Sequence, residues 1–188
     1  LVLDLKPPRT PAGHLAEGLV EQWPVYTAYL SSYIYGAVIW LNHKTSFTRI
    51  RRMNPGLHWA NLGILFTTGL LPFATAMIAH EGQRGNPQDE RVAVLLYATV
   101  GVLLCASWVW FFHYLCGHPE LAKEDVHSRF FTLERGRAWA GVVLYTAAGV
   151  LGWFVEPLLA LAIFLALPIF YGVTSHGLER TSTSRHRR

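Results

Sequence analysis

From Val92 to Tyr114 the chain runs without a single Asp, Glu, Lys or Arg. A helix on the surface of a soluble domain needs a charged face toward water. This segment has none, and it is long enough to cross the apolar part of a bilayer, which takes roughly 17–25 residues. Ala138 to Val155 is equally free of acidic and basic residues. Three further runs share the pattern. Residues 24–43 begin at Pro24 and end at Asn42-His43-Lys44, residues 57–79 follow the turn Asn54-Pro55-Gly56, and residues 157–173 are interrupted by Pro168. With 92–115 and 138–155 these make five membrane helices. The pattern predicts an all-α fold, a polytopic transmembrane helix bundle forming one domain over residues 1–188. Glu156-Pro157 leaves room only for a tight turn, so the last two helices form an antiparallel hairpin.

The composition agrees. Hydrophobic residues are 52% of the chain and charged residues 15%, against about 25% charged in ordinary soluble domains. The net charge of +4 alone would fit a nucleic-acid partner. The basic residues argue against one, because they occupy loops between apolar runs and form no face. Cys105 and Cys116 make neither a disulfide framework nor a zinc spacing. No metal or cofactor is implied, and no Ser-His-Asp arrangement, phosphate-cradling glycine loop or paired carboxylate points to an enzyme.

The loops predict an orientation. Lys44, Arg49, Arg51 and Arg52 follow the first complete helix, and Lys123, Arg129, Arg135 and Arg137 follow the third. Arg180, Arg185, Arg187 and Arg188 sit in the tail, residues 174–188. These twelve fall on one side of the membrane and the remaining four, Lys6, Arg9, Arg84 and Arg91, on the other. Positive residues favour the cytoplasm. The expected location is the cell membrane, with a cytosolic C-terminus and the segment Pro7 to Gln22 outside. Trp108, Trp110, Phe111, Phe112 and Tyr114 would form an aromatic belt at the cytosolic interface.

Polar residues inside apolar helices are costly unless they serve a partner or a pathway. On residues 24–43, Ser32, Gly36, Ile39 and His43 recur at helical spacing, with Trp40 and Asn42 beside them. On residues 57–79, Asn61, Leu65, Thr68, Pro72 and Thr75 share a face. Small and polar stripes mark close helix contact. Ser32, Gly36, Thr68, Pro72 and Thr75 are therefore candidate helix-interface residues. They can be interhelical glue, at about 0.6 kcal/mol per hydrogen bond, or part of a functional network.

The chain opens Leu1-Val-Leu-Asp-Leu-Lys-Pro-Pro, which reads as the last turn of a helix whose beginning is absent. That opening, Trp23-Pro24, Ala28-Tyr29, Trp40-Leu-Asn-His43, Asn61-Leu62 and Leu71-Pro-Phe-Ala-Thr75 together resemble the bacterial relatives of the endolysosomal potassium channel. The likeness is concentrated in residues 1–80. It implies a six-helix subunit, a homotetramer in the lipid bilayer, and one central pore conducting potassium ions. The family lacks a carbonyl filter, and this chain has no Thr-Val-Gly-Tyr-Gly loop. The resemblance places apolar constrictions and an Arg…Phe-Ser-Asp-Gly signature on the first helix. Leu1, Leu3 and Asp4 would be the end of that pore helix. Trp40, Asn42, His43 and Asn61 would be the polar network that supports it.

Two other readings compete. His43, His58, His80, His113 and His118 could suggest an integral-membrane haem or redox protein, since axial haem ligands are often histidine. Each lies near a helix end. A secondary transporter would show broken helices at matching positions in two halves, and Pro72 and Pro168 do not match.

Overall fold

Two Asn-Pro pairs start the two longest helices. In the computed structural model, which describes residues 7–8, 10–124, 126 and 128–173, the Asn54 side chain accepts from the Leu57 amide at 2.9 Å and Pro55 takes the first helical position. Asn86 accepts from the Gln88 amide at 3.0 Å, and Pro87 follows it. An asparagine cap satisfies an orphan amide, and proline in the first turn has no amide to lose. The elements are α1 (Leu15–Glu21), α2 (Trp23–Phe47), α3 (Pro55–Arg84), α4 (Pro87–Gly117), α5 (Ser128–Phe154) and α6 (Pro157–Val173), with a short 3₁₀ turn at Pro119–Leu121. Gly85 closes α3 with φ of 64°, a left-handed conformation that glycine adopts without a Cβ clash. Leu1, Leu3 and Asp4, expected to end a first helix, lie outside the described residues, as does the basic tail.

The fold is all-α, and the five long helices cover the five apolar runs. Their ends differ from expectation. α5 starts at Ser128 rather than 138, because Glu134 and Arg137 neutralise each other one turn apart and let the helix run through a charged stretch. Arg129, Arg135 and Arg137 are consequently helical, and α5 and α3 each contain a buried glutamate, Glu134 and Glu81. The segment before α2, expected to lie outside the membrane, contains the short helix α1. α3 and α4 are each long and apolar enough to cross a membrane, and α6 is a shorter apolar helix. α2 and α5 have the length, at 25 and 27 residues, but carry more polar side chains.

α4 is the central element. It packs between α3 and α5 and also touches α6, while α2 packs against α3 and α6. The core is built from Leu57 and Ile64 of α3, Phe111 and Leu115 of α4, Tyr145 and Ala148 of α5, and Phe164 of α6. The α4–α5 contact is close because small residues face large or small ones. A Cβ on Gly101 would overlap the Tyr145 ring, and one on Gly149 would stand 2.8 Å from the Ala98 Cβ. Such small-residue contacts are how helices approach in lipid. The exterior is strongly apolar: Trp59, Phe66, Phe154, Leu158 and Ile169 are all widely exposed. That surface suits lipid and would be costly in water.

The two basic loops meet. The Arg51 amide donates to the Leu121 carbonyl at 2.8 Å, the Lys123 amide donates to the Arg49 carbonyl at 3.0 Å, and Ile50 pairs with Ala122 in an isolated bridge. Arg51 also pairs with Glu124 at 2.9 Å, and Arg49 lies over the Phe130 ring. Both loops therefore occupy one end of the bundle.

Gly101→Val should lower the unfolding midpoint in detergent, by about 1–3 kcal/mol of overpacking. Gly82→Ala, where an added Cβ meets nothing within 4 Å, should leave it unchanged or raise it.

Candidate functional site

His43 sits at the end of α2 where three helices converge. Its Nε2 donates to Oδ1 of Asn61 on α3, at 2.8 Å. Its ring stacks on Phe47, one turn further along α2, with centroids 4.1 Å apart. Its other edge meets Trp108 of α4 at 6.1 Å. Phe47 in turn stacks on Phe111, and Trp108 packs on Phe111 and Phe112. The spacing explains the site. Residues four apart share a helix face, which puts His43 over Phe47, and Asn61 lies two turns into α3 after the seven-residue link 48–54.

The structure distributes the other sequence candidates differently. Asn42 faces away from Asn61, and its Nδ2 donates to the Val38 carbonyl of its own helix at 3.0 Å. Trp40 is 59% exposed, with the Lys44 ammonium 5.4 Å from its ring centroid. Ser32 is buried, whereas a Cβ on Gly36 would meet nothing within 4 Å. The Thr68 hydroxyl donates to the Ile64 carbonyl at 2.7 Å and the Thr75 hydroxyl to the Leu71 carbonyl at 2.9 Å. Thr75 also lies beside Tyr97 of α4. Pro72 is half-buried and α3 continues through it.

A second polar layer crosses the far side of α2. The hydroxyls of Tyr35 on α2 and Tyr145 on α5 are hydrogen-bonded in the core. Arg137 donates to both carboxylate oxygens of Glu134, at 2.8 and 2.7 Å. It also donates to the Tyr171 carbonyl of α6 at 3.4 Å, and the Tyr171 hydroxyl donates to the Arg137 carbonyl at 3.1 Å. The Cys105 thiol lies 4.0 Å from the Tyr171 hydroxyl. Tyr35, Cys105, Glu134, Arg137 and Tyr171, with Asn42, Ser46, Trp108 and Pro168, line a cavity of about 60 Å³ between α2, α4, α5 and α6. Sequence reasoning missed this layer. Arg137 was expected in the loop after the third complete helix, although its i, i+3 spacing from Glu134 was a usable signal. Tyr35 lies one turn after Ser32 and is buried, whereas Tyr26 and Tyr33 on the same helix are exposed.

The histidines of the haem reading are dispersed. His80 is bound to Glu81, His113 to Arg135, and His118 to the Tyr114 carbonyl. Among the described residues no His, Cys, Asp or Glu trio is grouped to hold a metal ion.

A double-mutant cycle on His43→Ala and Asn61→Ala, read by detergent unfolding, should give a coupling of about 0.6 kcal/mol, and at most about 1.7 kcal/mol. Additive effects would mean the contact carries no energy. Glu134→Leu should cost up to about 3–5 kcal/mol by removing the carboxylate that the half-buried Arg137 pairs with, and adding Arg137→Met should recover most of that loss.

Residues 1–72 match the family model described as the endosomal/lysosomal potassium channel TMEM175. A potassium channel of Streptomyces collinus is 30% identical over 173 residues, covering 92% of this chain and 82% of the relative. A potassium channel of a Chryseobacterium species is 25% identical over 182 residues, covering 96% of this chain and 88% of the relative. One of Chamaesiphon minutus is 29% identical over 185 residues, covering 94% and 86%. These are channels and not enzymes, which removes the redox-enzyme reading. The likeness extends well beyond the His43–Asn61 region to nearly the whole of each sequence, and the chain belongs to the TMEM175 potassium channel family.

Proposed function

We propose that this membrane protein is a passive, potassium-permeable cation channel, with potassium as the permeant ion and no cofactor. The observation that carries the reading is the near full-length similarity to a protein named a potassium channel. On this reading four copies assemble around one pore. The pore is lined by a first helix whose end is Leu1, Leu3 and Asp4, and rings of apolar side chains constrict it. Such constrictions can gate by dewetting, without a carbonyl filter.

The His43–Asn61 contact is then the support on which the pore helix rests. It ties α2, α3 and α4 into one rigid wall, with Trp40 and Asn42 on neighbouring faces of the same helix end. A hydrogen bond and two aromatic contacts at one residue suit a part that must hold an angle. The stripe of Ser32, Gly36, Thr68, Pro72 and Thr75 supplies helix-interface surface on α2 and α3.

The channel resides in the cell membrane with its C-terminus in the cytosol. The meeting of the loops that hold Arg49, Arg51 and Lys123 supports a single basic end of the bundle, and the positive-inside bias points that end toward the cytosol.

The test is ion flux from liposomes containing the purified protein under potassium, sodium or proton gradients. Potassium should pass, and faster than sodium. The absence of flux for all three ions would refute the reading.

A further inference from the structure

The outward face of α4 and α5, near the basic end of the bundle, holds an open groove of about 610 Å³. Two tryptophans wall it, Trp110 of α4 and Trp139 of α5, which are 49% and 54% exposed. Gly136 forms part of its floor, and a Cβ there would meet nothing within 4 Å. At its head, Arg135 Nη1 donates to Nδ1 of His113 at 3.4 Å.

Two arginines close together on α5 have different surroundings. Arg137 turns inward onto Glu134. Arg135 turns outward, and among the described residues no carboxylate forms an ion pair with it. A cation on the lipid-facing side of a membrane helix is costly without a counter-charge. A guanidinium fork matches the oxygens of a phosphate. Because arginine can only donate, His113 must accept at Nδ1, which leaves its proton on Nε2 for a second phosphate oxygen. His113 lies four residues before Gly117, the end of α4, about 6 Å along the axis at 1.5 Å per residue. That depth is where headgroups begin and where tryptophan rings anchor. Basic pockets between membrane helices on the cytoplasmic side suit anionic headgroups. Val109, Trp110 and Trp139 add apolar surface for an acyl chain.

We propose that this groove binds one anionic phospholipid, its phosphate on Arg135 and His113 and one acyl chain over Gly136 between Trp110 and Trp139. The site depends on placement in a bilayer and not on ion conduction, so its failure would leave the channel reading intact.

The test is native mass spectrometry of the full chain in detergent, offered phosphatidylglycerol or phosphatidylcholine. Phosphatidylglycerol should be retained in preference. Arg135→Gln should weaken its retention about fivefold, the effect of one cation near an anionic surface. Gly136→Leu, whose side chain enters open space, should abolish retention while leaving the unfolding midpoint unchanged. Arg84→Gln, at the opposite end of the bundle, should have no effect. Equal retention of both lipids, or unchanged phosphatidylglycerol retention in both groove variants, would overturn the proposal. So would loss of the oligomeric state in Gly136→Leu, which would make the groove a contact between copies of this chain.

Discussion

His43 donates one hydrogen bond to Asn61, stacks on Phe47 and meets Trp108 edge-on, and through those contacts it fixes three helices against one another. A bilayer interior offers no water to exchange partners with, so a polar side chain that finds a good partner tends to keep it. The energy of the hydrogen bond is small, of the order of 0.6 kcal/mol. Its geometric effect is larger, because the imidazole is held on one face by Phe47, edge-on by Trp108 and at its tip by Asn61. α2 and α3 could otherwise slide past each other on apolar surfaces with little preference for register.

The rest of the bundle builds outward from that junction. α4 carries Trp108 and Phe111 into it and presents Gly101 to Tyr145 on its other side. α5 then reaches α6 through Arg137 and Tyr171, and Tyr145 reaches back to α2 through Tyr35. The result is a closed circuit of helices, α2 to α6, with polar ties on either side of α2. A cavity of about 60 Å³ lies beside the second of these ties, between α2, α4, α5 and α6. A wall of this kind resists rotation of any one helix, which is what a supported pore helix would require.

Much of this was legible in the sequence, for identifiable reasons. Charge-free runs as long as Val92–Tyr114 admit few folds, so the all-α membrane bundle followed from them directly. Asn54-Pro55-Gly56 marks the turn before a helix, whereas Asn86-Pro87 starts a helix five residues ahead of the run expected from Val92, because capping chemistry extends a helix beyond its apolar stretch. The meeting of His43 and Asn61 could be anticipated only as two stripes able to face each other, because spacing fixes a face and not a partner. Trp40 and Asn42 show the limit. They neighbour His43 in sequence, yet successive residues on a helix point about 100° apart, and they face other surroundings. The start of α5 was obscured because a charge normally ends an apolar run, and only the Glu134–Arg137 pair makes it compatible with a buried helix. Tyr35 and Tyr145 are 110 residues apart, and no local pattern links them.

The central claim is that the His43–Asn61 contact holds the helix wall in the geometry that conduction needs. Asn61→Leu keeps the branching and the number of heavy atoms of the side chain and removes the acceptor, so it separates that claim from loss of the side chain. The measurement is potassium flux per reconstituted channel, at matched protein content and confirmed oligomer, for this variant against the parent. The account predicts a marked loss or alteration of flux with only a small fall in unfolding midpoint. Flux equal to that of the parent would contradict it and leave the contact as interhelical glue.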